Sequence, residues 1–203
     1  MARRKTQNTK TKAKGRRNYL VSLKNPRKPD IKVCTSLAIC GHVHYEQIKG
    51  IWTDKRIRRF EEEGLIEKVE HVTKKETIVA YKLTESGARY VRKYIYDEAI
   101  YKSKSIKHDL GMADKYFSLS DDEQKTVRTE SELRKELDTM YARSEITKEE
   151  YENASCVDFS YVSDSTGIEV GFEVITSNYT KEEITAKETY CSIVSMTFEG
   201  VRV

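Results

Sequence analysis

A helix with both ends specified lies at Thr53–Glu63, TDKRIRRFEEE, and runs straight into Gly64-Leu65-Ile66. The Thr53 hydroxyl can take an orphan amide of the first turn. Gly64 can enter the left-handed region that closes a helix, without a Cβ penalty. Ile57 and Phe60, three apart, share one face, and Leu65 can close the far end against Phe60. At about 100° per residue, Lys55 and Arg59 point away from that face, with Arg56 and Arg58 on its flanks. The charges oppose the helix dipole, with cations in the N-terminal half and Glu61, Glu62 and Glu63 in the C-terminal half. A cationic N-terminal half suits a helix that meets phosphates. The alternative is a solvated face braced by Arg58–Glu62 and Arg59–Glu63 pairs.

Charge is also divided along the chain. Residues 1–28 carry eleven Lys or Arg and no acid, whereas the following 175 residues hold 26 basic and 33 acidic side chains, a net of −7. Such a segment cannot bury enough apolar surface to fold alone, so residues 1–28 are expected to form a disordered basic tail, docking at most around residues 19–23. Arg3, Arg4, Lys5, Arg16 and Arg17 are its candidate phosphate contacts, adding affinity and salt dependence without reading sequence. The alternatives are a solubility tail or a nuclear-import signal. No apolar run reaches membrane-spanning length, and the basic N-terminus lacks the apolar stretch of a secretory signal. Cys34, Cys40, Cys156 and Cys191 form no CxxC pair and read as buried thiols.

Pro26 and Pro29 mark a linker into a first domain, residues 29–95. Helices are expected at Ile31–Cys40 and Tyr45–Ile51, with Val43 in a short strand between them. After Gly64, Leu65–Thr73 and Thr77–Leu83 read as a hairpin whose basic tip carries Lys74 and Lys75. Thr84 caps a helix through Tyr94. The set Cys40, His42 and His44 could ligate zinc, but a fourth ligand at suitable spacing is missing, and a buried thiol beside turn histidines is the simpler reading.

In residues 96–203, Ile95–Ile106 is a helix or linker, a segment opening at His108 follows, and Lys125–Leu133 is expected to be a strand carrying Glu130 and Glu132. Arg134–Asn153 reads as a charged helical insertion. Ser155–Val162 alternates Val157, Phe159 and Tyr161 against Asp158, and Ile168–Ile175 places Glu173 opposite Phe172 and Val174. In a helix over Thr180–Val194, Lys187 falls on the stripe of Ile184, Cys191 and Val194. There it needs a route to solvent or a partner, and Asp158 and Glu173 are the available carboxylates. Two acids with an inward lysine can hold Mg²⁺ and stabilise charge at a phosphodiester.

Two resemblances follow from these residues. Helix, helix, helix, strand and basic hairpin, with the run RIRRFEEEGLIEK, resembles a winged helix-turn-helix over about residues 31–95. The resemblance implies double-stranded DNA as partner, with the third helix in the major groove and the hairpin on flanking backbone. The succession HDLG, TESELR, VDF, FEVIT and AKETY resembles the replication-relaxation (MobC-like) family of mobile elements. That family joins a winged helix to a degenerate PD-(D/E)xK nuclease-like core. The expected architecture is therefore α+β, with a winged helix-turn-helix followed by a restriction-endonuclease-like α/β domain with a mixed sheet. The resemblance places Asp158 and Glu173 at the catalytic and metal-binding acids. Ile175 stands where the motif lysine belongs, and Lys187, with Tyr190 in a K-x-x-Y pattern, is the candidate replacement.

Three functions are compatible. The leading one is a sequence-specific DNA-binding accessory or regulatory protein of a plasmid, phage or integrative element, cytoplasmic and nucleoid-associated, working beside a replication or relaxase-type protein, its nuclease-like half non-catalytic. The others are a Mg²⁺-dependent endonuclease using Asp158, Glu173 and Lys187, and a protein-binding inhibitor or adaptor. The apolar tail Met196–Val203 is a candidate edge for a C2 homodimer.

Overall fold

The computed structural model of the protein describes residues 23–72, 77–103 and 105–203. The architecture is α+β with two sheets. The first part runs α1 (Lys28–Cys40), β1 (His42–His44), α2 (Tyr45–Ile48), α3 (Asp54–Glu62), β2 (Ile66–Val72), β3 (Thr77–Leu83) and α4 (Glu85–Tyr94). β3 lies between β1 and β2, antiparallel to both. Helix α3 has the ends its sequence specifies. Thr53 Oγ1 accepts the Arg56 amide at 3.3 Å, and Gly64 has φ of +64°. Ile57 and Phe60 are buried on its inner face. Thr84 caps α4 by accepting the Gly87 amide at 3.0 Å.

α1 begins earlier than the apolar spacing suggests, at Lys28, with Pro29 inside its first turn. A proline there has no amide to lose, so it starts the helix instead of marking a linker. The docking expected around residues 19–23 is seen at Leu23, the one residue of that stretch that is described. Leu23 is buried, and its carbonyl accepts the Tyr90 hydroxyl at 2.6 Å. Residues 1–22, with Arg3, Arg4, Lys5, Arg16 and Arg17, lie outside the described residues, as do Lys74 and Lys75 of the β2–β3 turn.

The second part contains α5 (Ile106–Ser118), α6 (Asp121–Lys125), β4 (Arg128–Thr129), α7 (Glu130–Ala142), α8 (Lys148–Asn153), β5 (Phe159–Val162), β6 (Glu169–Ile175), α9 (Lys181–Ile193) and β7 (Thr197–Arg202). The strand expected over Lys125–Leu133 is not there: two residues form β4, and Glu130 opens a helix. Glu132 accepts the Thr129 amide at 2.8 Å and the Thr129 hydroxyl at 2.7 Å, so a capping interaction overrides the strand-like run. The charged insertion is two helices, α7 and α8, and β5 is shorter than Ser155–Val162. The sheet order is β4-β5-β6-β7; β6 and β7 are parallel, joined by α9, and the other pairs are antiparallel. β7 is one edge of the sheet, on the segment expected to form a homodimer, with Val201 and Val203 exposed.

α5 holds the two sheets together. It packs against α1 and β1 on one side and β6 on the other. One apolar cluster runs from Leu37, Val43 and Phe60 through Met112, Ala113 and Tyr116 to Phe159, Phe172 and Val174, across the boundary expected near residue 95. A second cluster lies on the opposite face of the four-stranded sheet, built from Leu133 and Leu137 of α7, Val157, and Tyr190 and Cys191 of α9. The close approach of α5 needs Gly111, where a Cβ would stand 3.0 Å from Val174 Cγ1. Among the described residues no helix is long and apolar enough to cross a membrane.

Gly87 is a sharper test of packing, since a Cβ there would lie 1.8 Å from the Leu65 carbonyl oxygen. Backbone cannot yield as a flexible side chain can. Gly87→Ala should therefore lower Tm by about 3–10 °C in a thermal melt, the range for overpacking of this size. A shift within about 1 °C would refute the close approach of α4 to Leu65.

Candidate functional site

The outer face of α3 is cationic, and only part of it is free to meet a partner. Lys55 and Arg58 are exposed and Arg59 is half-buried. With Thr53, Arg56 and Glu62 they line a cavity of about 340 Å³. Arg56 turns inward: its Nε and Nη2 donate to Asp30 Oδ1 and Oδ2 of α1 at 2.9 and 2.6 Å. The guanidinium also lies 4.9 Å from the centroid of the Phe60 ring. Asp30 is 2% exposed and accepts the Arg27 amide as well, so both its oxygens are engaged.

The carboxylate cluster of the second sheet is assembled as the alternation of β6 implies. Phe172 and Val174 belong to the cluster beneath α5, which leaves Glu173 on the face covered by α9. Asp158 and Glu173 each grip the other's strand. Asp158 Oδ2 accepts the Val174 amide at 2.8 Å, and Glu173 Oε2 accepts the Asp158 amide at 2.9 Å. Glu173 Oε1 accepts the Tyr179 hydroxyl at 2.6 Å and lies 3.1 Å from Lys187 Nζ. Lys187 donates to the Cys156 carbonyl at 2.6 Å, so it turns inward to a partner instead of out to water. Burial, then the neighbouring Asp158 charge, raise the Glu173 pKa above the usual carboxylate range, against Lys187 and Tyr179.

This arrangement ties the acids and the lysine into the fold as a clasp. Both Glu173 oxygens are taken by donors, and Asp158 Oδ1 is the one oxygen of the pair without a hydrogen bond among the described residues. Among those residues no group of three or more His, Cys, Asp or Glu is placed to hold a metal ion. Tyr190 sits in the core, its hydroxyl without a hydrogen bond among the described residues, so the tyrosine serving Glu173 is Tyr179. Its signal, a lone tyrosine in the loop before a helix cap, is weak in the sequence.

A third buried cluster, not anticipated from the sequence, lies where α5 meets both sheets. His42 Nδ1 of β1 is 2.8 Å from Asp109 Oδ2, and Ser103 Oγ is 3.2 Å from the same nitrogen. The Tyr101 hydroxyl donates to Asp109 Oδ1 at 3.3 Å and lies 3.4 Å from His108 Nδ1. His108 Nε2 then reaches Asp158 Oδ2 at 3.1 Å. Gly41, with φ of +80°, leaves room for Asp109. His42 therefore serves this joint, and His44 accepts the Glu46 amide at the start of α2, so the CGHVH run is built into packing. All four cysteines are free and buried; burial pushes the Cys156 and Cys191 thiols up to about 11.

Burial alone would lower the His108 pKa, but its bonds to Asp109 and Asp158 raise it from 6.5 to about 9. Burial likewise opposes ionisation of Asp109, and hydrogen bonds from His108, His42 and Ser103 overcome it, so its pKa falls below the ordinary value.

Compared with known proteins, the chain matches no family model and no curated protein.

Two outcomes follow. His108 holds its proton more tightly in the folded chain than in the unfolded one. Its stabilisation is complete below pH 6.5 and is lost as pH rises through about 9. The Tm of the wild type should decline across that window more steeply than that of His108→Gln, by calorimetry; parallel curves would refute the assignment. Glu173→Ala would strand Lys187 in a buried site and should cost about 3–5 kcal/mol in denaturant unfolding. A cost below about 1 kcal/mol would show that the clasp is not structural.

Proposed function

We propose that the chain is a sequence-specific double-stranded-DNA-binding accessory or regulatory protein of a mobile element. In this reading residues 29–95 are a winged helix-turn-helix, with α3 entering the major groove and the β2–β3 hairpin on flanking backbone. Residues 96–203 are a nuclease-like domain that does not cut. Its role would be to hold a replication or relaxase-type partner, and the protein would act in the cytoplasm beside the nucleoid.

The observation that carries the reading is the two-sidedness of α3. Ile57 and Phe60 are buried, while Lys55 and Arg58 project from the opposite side around an open basic concavity. The dipole of α3 favours acids in its first turn and cations in its last; Asp54 and Arg59 follow that rule, whereas Lys55 and Arg56 stand in the first turn against it. Cations placed against their own helix dipole make sense when an anion arrives from outside. The non-catalytic reading of the second domain is supported by the use of both Glu173 oxygens inside the fold. The endonuclease alternative is favoured by the convergence of Asp158, Glu173 and Lys187, but it would require Mg²⁺ to compete with the donors already on both Glu173 oxygens.

Fluorescence anisotropy on duplex DNA, between about 50 and 200 mM salt, tests this directly. Lys55→Ala and Arg58→Ala should each weaken binding. A residue on phosphate reduces the salt slope by about one, whereas a residue reading a base costs about 1–3 kcal/mol at one position of a selected site. No binding by the wild type, or full binding by both variants, would overturn the proposal. Metal-dependent nicking that disappears in Asp158→Ala would establish the endonuclease instead.

A further inference from the structure

Of the four cations on α3, Arg56 has a different task. It is 19% exposed and engaged at both ends of its fork by one carboxylate that is itself 2% exposed. Asp30 belongs to the first turn of α1, 26 residues earlier, so the pair spans the two helices whose relative angle sets where α3 points. The guanidinium is held on a further side: it lies over the Phe60 ring, whose centroid is 4.3 Å from that of Trp52 in the core. A bidentate fork fixes orientation as well as distance, which a lysine or a single hydrogen bond cannot do.

We propose that Asp30 and Arg56 are a positioning pair for DNA binding. Arg56 does not touch DNA; held by Asp30, it sets the pose of α3 so that the exposed Lys55 and Arg58 face the nucleic acid across the concavity. This rests on the DNA-binding reading above and adds to it a division between the exposed cations Lys55 and Arg58, which contact, and Arg56, which orients. It also makes DNA affinity depend on a buried acid. Bulk electrostatics alone would give the opposite sign, since removing an acid beside a basic surface strengthens attraction for phosphate.

The test uses the full chain, a mixed-sequence duplex of about 30 base pairs, and anisotropy titrations at several salt concentrations. Asp30→Asn raises the net charge by one yet should bind about tenfold more weakly, with an unchanged salt slope, because a displaced helix misplaces its contacts without removing a phosphate contact. Arg56→Lys keeps the charge but loses the fork, and should show the same loss. If Asp30→Asn binds more tightly with a slope steeper by about one, Arg56 is a phosphate contact that Asp30 restrains, and the proposal falls. It falls equally if Arg56→Lys binds like the wild type. Circular dichroism shows which variants are folded; should Asp30→Asn unfold, the affinity of Arg56→Lys decides between the two outcomes. Unaltered binding by Lys55→Ala and Arg58→Ala would instead overturn the DNA-binding reading itself, so the two failures are distinguishable.

Discussion

The structure depends on the burial of Asp109. A carboxylate with no exposure cannot remain ionised in an apolar setting without donors on both oxygens, and here they come from separate parts of the chain. His42 arrives from β1, Tyr101 and Ser103 from the connector, and His108 from the preceding position on α5. His108 extends the same network to Asp158 at the mouth of β5. Apolar packing of α5 against both sheets sets the distance between them, and this polar joint fixes the register. Hydrophobic contact is non-directional, whereas a network of this kind tolerates little sliding.

Asp158 belongs to two networks. It closes the joint through His108 and takes part in the exchange with Glu173 that ties β5 to β6. The residues that would form a hydrolytic centre are thus part of the scaffold between α5, the sheet and α9. The same division recurs on α3, where Arg56 is committed to Asp30 and its exposed neighbours Lys55 and Arg58 remain outside. In both places, charges that look alike along the chain are separated into internal and external uses by burial.

Elements whose ends are written in local chemistry are legible in the sequence. Thr53 with Gly64, Thr84 with its helix, and Thr180 with Glu183 each define a boundary through partners within a few residues. Alternation in β6 correctly puts Glu173 opposite Phe172 and Val174, and helical spacing correctly turns Lys187 inward. The failures are also local. Thr129 and Glu132 look like strand residues, although their spacing is that of a capping pair, and Pro29 looks like a linker residue where it begins a helix.

The chain's pattern of caps, periodicities and charge blocks was enough to establish an α+β protein with a basic, two-sided helix near its start. Those features depend on interactions spanning three or four residues, or on simple sums. Partner choice was decided only by tertiary structure: that Arg56 meets Asp30, that Tyr179 and not Tyr190 serves Glu173, and that His42 and His108 join Asp109 to Asp158. Side chains 67 residues apart, as His42 and Asp109 are, leave no periodic trace in a single sequence. Their pairing depends on how α5 is wedged between the sheets, and that is settled by the shape of the whole core.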